Sequence, residues 1–339
     1  MIMSRKKNSL TIRDVAEACG VSVSTVSRVL NDKDDVAAET YEKVRHVIAE
    51  MGYTSSLAAT SMRSRRTNVI GALVVDIGDP FSLELLKGIG KAIRGTEYDL
   101  IVYSSGHIAA TAQSGWERRH LSRLDGSITD GMLVVTPTTE DLTAISPLVA
   151  LDPHEHNIFP AVISANREGA IAVMEYLIDL GHRRIGFITG RQGLVSSSRR
   201  QQGYIEALER AGLPVDTALI EQGDYTRETG FRCAQHLFTL PDPPTAIFAA
   251  NDQSALGVLD AANQAGLRVP DELSVAGFDN IPLAMCSVPG LTTVDQSVSE
   301  MGYVATTMLI KLIKGETLDE PLCKIPTRLV IRDSCQLIE

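Results

Sequence analysis

Two groups of residues in this sequence carry side chains able to grip a polar partner. The first is VSVSTVSRVLN, residues 21–31, where Ser22, Ser24, Thr25, Ser27 and Arg28 bring four hydroxyls and one guanidinium to a stretch of helical spacing. Ala16, Val21, Val26, Val29 and Leu30 can close a small core, which turns Val23, Ser24, Ser27 and Arg28 to the opposite face. Such a face fits a DNA major groove about 12 Å wide, with hydroxyls and backbone amides on phosphates and an arginine on a guanine edge. A solvated serine face on a helical hairpin is the plain alternative. The second group is Arg200, Asn251 and Asp279, each a short way past an apolar run of strand length. Carboxylate and amide groups exchange hydrogen bonds with vicinal hydroxyls, and a planar guanidinium holds two oxygens at once, which is how polyols are recognised. Capping the next segment is the plain reading of Asp279 and of Asp252, and for Asp252 it is the preferred one.

The elements that must position these groups differ in kind. Helical patterns at 12–19, 23–30 and 38–51 supply the first. Thr11 with Asp14 makes a capping box, Gly20 ends the first helix and Ser22 caps the second. Ala37 precedes the third helical pattern and offers no capping hydroxyl. Residues 54–68, TSSLAATSMRSRRTN, are small, polar and basic, as in a linker. From 69 onward, strand-length runs (VIGALVV, DLIVYSS, GMLVV, PLVAL, AVIS, RIGFITG, ALIEQGD, TAIFAAN, ELSVAGFD) alternate with amphipathic helices at 81–95, 112–124, 167–180, 198–212, 227–240 and 252–266. That alternation predicts an α/β core of doubly wound parallel sheets, in two units of about five strands each.

The net charge of −10 sits badly with a polyanionic partner until it is divided along the chain. Residues 1–66 hold 11 Lys and Arg against 8 Asp and Glu, leaving 21 against 34 beyond, so the basic excess is confined to the first segment. Screening cuts off exposed charges beyond about 8 Å at physiological salt, and an acidic body therefore leaves a basic head free to act. Five cysteines at 19, 233, 286, 323 and 335 form no close pair, which excludes a disulfide framework and a zinc pattern and suits a reducing compartment. The N-terminus lacks a secretory apolar stretch and no run is long enough to span a bilayer, so a cytoplasmic protein without membrane contact is expected. His154 and His156 have HxH spacing but no third ligand nearby, so no metal site is expected. The serine cluster 196–198 lacks a nucleophile-elbow pattern and no phosphate-binding GxxxxGK[ST] loop occurs. Neither a cofactor nor an enzyme activity is expected.

The run TIRDVAEACGVSVSTVSRVLN followed by ETYEKVRHVIAEMGY resembles the head of the LacI/GalR family of bacterial transcription regulators, and LIDLGHRRIGFITG, ANDQSALGV, LSVAGFDN and LTTVDQS extend the resemblance to the end of the chain. The resemblance implies a helix-turn-helix head over 1–53 and a hinge over 54–68. It also implies a periplasmic-binding-protein-like core of two subdomains, 69–165 with 295–325 and 166–294 with 326–339. By the same resemblance Val23, Ser24 and Arg28 choose operator bases, while Ser22, Thr25, Ser27 and Asn31 hold phosphates. Tyr53 joins the DNA-contacting set, and Met62 takes the place of the side chain that wedges into the minor groove. Arg63, Arg65 and Arg66 follow it, and Ser55 and Ser56 replace the Pro-Asn pair that usually starts this helix.

For the core, the resemblance places Arg200, Asn251 and Asp279 at effector-contact positions and Tyr225 where relatives stack an aromatic ring on a sugar. Phe81 and Gln296 are further candidates, read as readily as a helix start and a crossover hydrogen bond. Ser164-Ala165 departs from the family's Asp-Asn pair, and Trp116, the only tryptophan, is assigned to core or interface. The implied protein is a homodimeric repressor on double-stranded operator DNA, controlled by a small effector in the cleft. A sugar is the first choice and a purine or nucleoside the second; a solute-binding protein for transport is the alternative from another class.

Overall fold

The computed structural model describes residues 10–30, 33, 35–53, 66–106, 110–126, 128–139, 144, 146–153 and 159–338. The chain forms two compact units, 1–67 and 68–339. In the first, helices form at Ile12–Cys19 (α1), Val23–Leu30 (α2) and Ala38–Met51 (α3). Thr11 and Asp14 close the capping box of α1, and Gly20 ends it in the left-handed region at φ +64°. The Ser22 hydroxyl accepts from the Thr25 N–H at 3.1 Å and starts α2. Nothing replaces the missing hydroxyl at Ala37, so α3 begins without a side-chain cap. Val15, Ala16, Cys19, Val26, Val29, Val44 and Tyr53 make the buried centre of this unit.

The second unit has the alternation expected of it. Strands β1 (Val69–Val74), β2 (Asp99–Ser104), β3 (Gly131–Val135), β4 (Leu148–Leu151) and β5 (Ala161–Ser164) interleave with helices α4 (Pro80–Ile93) and α5 (Ala110–Leu124). A late strand, β11 (Leu322–Ile325), adds to the edge and gives a parallel sheet in the order β11-β5-β4-β3-β1-β2. Between them the chain builds helix α6 (Asn166–Asp179), β6 (Ile185–Ile188), α7 (Val195–Arg210), β7 (Ile220–Glu221), α8 (Arg227–Phe238), β8 (Ala246–Ala249), α9 (Asp252–Ala265) and β9 (Ser274–Ala276). Their strands form a second parallel sheet in the order β7-β6-β8-β9. After the short helix α10 (Pro282–Cys286), β10 (Thr293–Asp295) leads into α11 (Val298–Ile313), and β12 (Arg328–Val330) pairs antiparallel with β10.

The division is six strands and four rather than five and five. The reason is β11, which joins the edge of the first sheet beside β5, while ALIEQGD gives the second sheet only Ile220 and Glu221. The Asp216 carboxylate accepts from the Ala218 N–H and winds Thr217–Leu219 into a 3-10 turn instead. Every residue of β1, β3, β4, β5, β6 and β8 is buried, as parallel strands covered on both faces must be. Trp116 lies on α5, half-buried against the core of the first sheet and 4.5 Å from the His120 ring. Among the described residues, no helix is long and apolar enough to cross a membrane.

Helices α4 and α11 cross the same face of the first sheet at a separation only glycine permits. A Cβ at Gly88 would collide with the Ser299 carbonyl, and one at Gly302 with the Leu85 carbonyl. Both obstacles are backbone and cannot swing aside. Gly88→Ala therefore lowers the stability of the core by about 1–3 kcal/mol, read as a drop in Tm. Conversely, Ala37→Ser supplies the absent cap and stabilises α3 by about 1 kcal/mol, seen as slower hydrogen exchange over 38–51.

Candidate functional site

On the head, the α2 hydroxyls are organised before any partner arrives. Ser22 Oγ lies 2.7 Å from Ser24 Oγ and 2.8 Å from Thr25 Oγ1, and all three residues stay at least partly exposed. Arg28 extends into solvent, with its Nε 3.5 Å from Asp35 Oδ2 and both side chains 58% exposed. An ion pair so wet is worth little and is readily exchanged. Ser27 is half-buried; Val23 is too, and packs its side chain against the head core. Tyr53 is 8% exposed, and its ring belongs to that core. Asn31 and Met62 lie outside the described residues, as do Ser55, Ser56, Arg63, Arg65, His154 and His156.

In the core, the carboxyl ends of both sheets face a shared cavity of about 380 Å³. Arg200, Tyr225, Asn251, Asp279 and, from the first-sheet half, Phe81 all line it. Gln296 does not; it is fully buried behind the wall.

Arg200 organises the second-sheet wall. Its Nε donates to Asn166 Oδ1 at 2.8 Å, Nη1 to the Ala250 carbonyl at 2.5 Å and to Asp279 Oδ1 at 3.1 Å, and Nη2 to Gln296 Oε1 at 3.4 Å. The guanidinium carbon sits 3.8 Å from the Phe278 ring centre. Gln296 Nε2 adds a second hydrogen bond to Asp279 Oδ1, at 2.6 Å. Asp279, at φ +113°, is thus held in a conformation that side chains rarely adopt, with both bonds on Oδ1 and the residue on the cavity lining. A buried ion pair is tolerable only with such additional bonds.

Asn251 is largely committed to the protein itself. Its Oδ1 accepts from the Ser254 N–H and caps α9, while its Nδ2 donates to the Tyr225 carbonyl at 3.0 Å. That second bond holds Tyr225 at φ +75°, with its hydroxyl 3.1 Å from Ser196 Oγ. The ring occupies the space that a Cβ at residue 190 would need, so Gly190 is a requirement of the tyrosine's position.

The expected capping role of Asp252 is corrected here. The cap is Asn251, and the Asp252 carboxylate instead accepts from Thr293 Oγ1 at 2.5 Å and from the Ile281 N–H at 2.9 Å, bracing β10 and the loop after β9. Asp152, Asn166, Ser196 and Gly190 also belong to the wall or its support, and sequence reasoning passed over these roles. Asp152 ends the PLVAL strand, so the strand-end rule that picked out Asp279 applied to it as well.

Burial pushes the Asp279 carboxyl from 3.8 up to about 7, helped by the charge of Asp79 and opposed by Arg200. Burial likewise raises Asp152, and it raises Asp252 with the charge of Asp279 adding to the effect. These carboxyls keep a proton in the folded chain at pH values where the unfolded chain has lost it. Their contribution to folding is therefore full below the ordinary carboxylate range and is lost as pH rises, for Asp279 through about 7. Asp279→Asn removes one such group, so its Tm falls less steeply than that of the wild type between about pH 5 and 8, as followed by melts across a pH series.

A groove-sized helix face rich in hydroxyls, on a unit separate from a two-sheet core whose cavity carries a few convergent polar groups, defines a DNA-binding regulator with a ligand-sensing core. Comparison with known proteins agrees. Residues 11–56 match the model described as bacterial regulatory proteins, lacI family, and residues 174–335 match a periplasmic binding protein-like domain. Catabolite control protein A of Priestia megaterium is 32% identical over 96% of this chain and 99% of its own. The HTH-type transcriptional repressor CytR of Escherichia coli is 32% identical over the full length of both. Among solved structures, the Lac repressor dimer bound to operator and the anti-inducer ONPF superposes with a TM-score of 0.85 at 26% identity, covering 97% of this chain and 100% of that one. The transcriptional regulator CelR in complex with cellobiose does so with a TM-score of 0.72 at 30% identity, covering 96% and 99%. The chain belongs to the LacI family of bacterial regulatory proteins.

Proposed function

We propose that the protein is a cytoplasmic repressor that binds a near-palindromic operator as a homodimer and changes its affinity when a sugar enters the cleft. The observation that carries this reading is the convergence of Arg200, Asp279, Tyr225 and Phe81 on one cavity, on the same chain as the α2 face. Asp279 accepts from sugar hydroxyls, Tyr225 and Phe81 offer apolar faces to a ring, and Arg200 and Gln296 hold Asp279 in aim. Asn251 acts mainly by fixing Tyr225. No bond-making chemistry is assigned to the cavity, and the head argues against a transport role.

On DNA, Ser22, Ser24, Thr25 and Ser27 hold phosphates and position the helix. Most direct readout rests on Arg28, because Val23 offers only an apolar contact and Ser24 a single hydroxyl. Tyr53 supports the head from within. Half-site symmetry requires two copies. Met62 takes the minor-groove wedge role, and the ligand must favour one state of the protein by a few kcal/mol to act. The CelR complex is with cellobiose, and a relative 34% identical over 96% of this chain is the ribose operon repressor of Halalkalibacterium halodurans, which favours a sugar here. The aromatic pair keeps a nucleoside as the second reading.

Footprinting of the DNA upstream of neighbouring genes, with and without candidate sugars, tests the proposal. A protected near-palindrome that responds to one sugar is expected. Equal binding to promoter and random duplex under every condition overturns it. Arg28→Ala costs about 1–3 kcal/mol of operator affinity and changes non-specific binding less, measured by fluorescence anisotropy at fixed salt.

A further inference from the structure

We propose that the cleft selects its effector by charge, admitting an unphosphorylated polyol and rejecting its phosphate ester, with Asp79 as the residue that enforces the choice. This rests on the reading of the cleft as the effector site and narrows it to one class of ligand.

Five aspartates and three arginines line the cavity, and two of the arginines are held by the protein's own groups. Arg200 is tied to Asp279, the Ala250 carbonyl, Asn166 and Gln296. Arg227 is clamped by Asp260, outside the lining, through two hydrogen bonds of 2.6 and 2.8 Å. The acids come from both halves: Asp76 and Asp79 follow β1, while Asp279 follows β9. Asp79 and Asp279 are near enough to feel each other's charge. Burial raises both carboxyls, Asp279 to about 7, so above that pH a phosphate dianion entering between them meets like charge on two sides.

Helix N-termini are the usual remedy for a bound phosphate, and here most of those at the cavity are taken. Asn251 caps α9 through the Ser254 N–H, and Thr226 caps α8 through the Thr229 N–H at 3.2 Å. Asp79 holds the N-cap position of α4, near the Phe81 and Ser82 N–H groups though short of a full cap hydrogen bond, so a carboxylate already stands where an anion would dock. At the N-terminus of α7, Leu194 gives no side-chain cap, and the nearby Ser196 hydroxyl is paired with Tyr225. The same arrangement suits a neutral polyol, whose hydroxyls donate to Asp79 from one half and to Asp279 from the other.

The test is calorimetric titration of the full chain above about pH 8, where Asp279 has lost its proton, with three matched pairs: glucose and glucose 6-phosphate, ribose and ribose 5-phosphate, cytidine and cytidine 5′-monophosphate. At least one neutral member binds, and its ester binds about tenfold more weakly or worse. In Asp79→Asn, which keeps an oxygen at the N-cap, the ester recovers to within about threefold of the neutral member. An ester that binds the wild type as tightly as its neutral partner, as it would at the α7 N-terminus, overturns the charge selection and leaves the effector reading standing. An unchanged ratio in Asp79→Asn removes Asp79 from the proposal. Silence from all six compounds removes the effector reading, and the selection with it.

Discussion

The core depends on a buried charge that must not be left alone. Arg200 is nearly sealed from solvent, and a guanidinium there is stable only because a carboxylate, a backbone carbonyl and two side-chain amides surround it. Satisfying it draws together segments far apart in the chain: the start of α6, the end of β8, the loop after β9 and the crossover before α11. The cavity wall is thus a by-product of solvating one cation inside the protein. The bent backbone at Asp279 and the burial of Gln296 follow from the same demand.

Much of this was legible in the sequence because it depends on local pattern. The head follows from hydrophobic spacing and capping residues, and its three helices match their expected bounds. The parallel core follows from strand-length runs alternating with amphipathic helices. Arg200, Asn251 and Asp279 were found because ligands in such sheets gather at strand ends. What stayed hidden was long-range. Gln296 was read as a crossover hydrogen bond, but nothing near it says that its partners would be Arg200 and Asp279. Nor does MGY at 51–53 say that Tyr53 fills the centre of a seven-residue core. Asp252 looked like a cap because its distant acceptor role, to Thr293 and Ile281, has no local signature. Tyr225 was placed, but its dependence on Gly190 and Asn251 was not.

Charge is arranged differently in the two units. The head presents Arg28 loosely, beside an exposed Asp35, in an ion pair that costs little to exchange. The core does the reverse and locks its central arginine away, leaving carboxylates to face the cavity.

The crossover residue Gln296 touches Asp279 and stands two residues before α11; α11 crosses α4 through Gly88 and Gly302, and α4 begins beside Phe81 and Asp79. The two walls of the cavity are therefore opposite ends of a single short circuit of stiff parts, closed through the middle of the protein. A molecule that bridges the walls completes a ring already built on its other side. It need not pull two independent bodies together; it has only to tighten a loop that the glycine contact keeps from slackening.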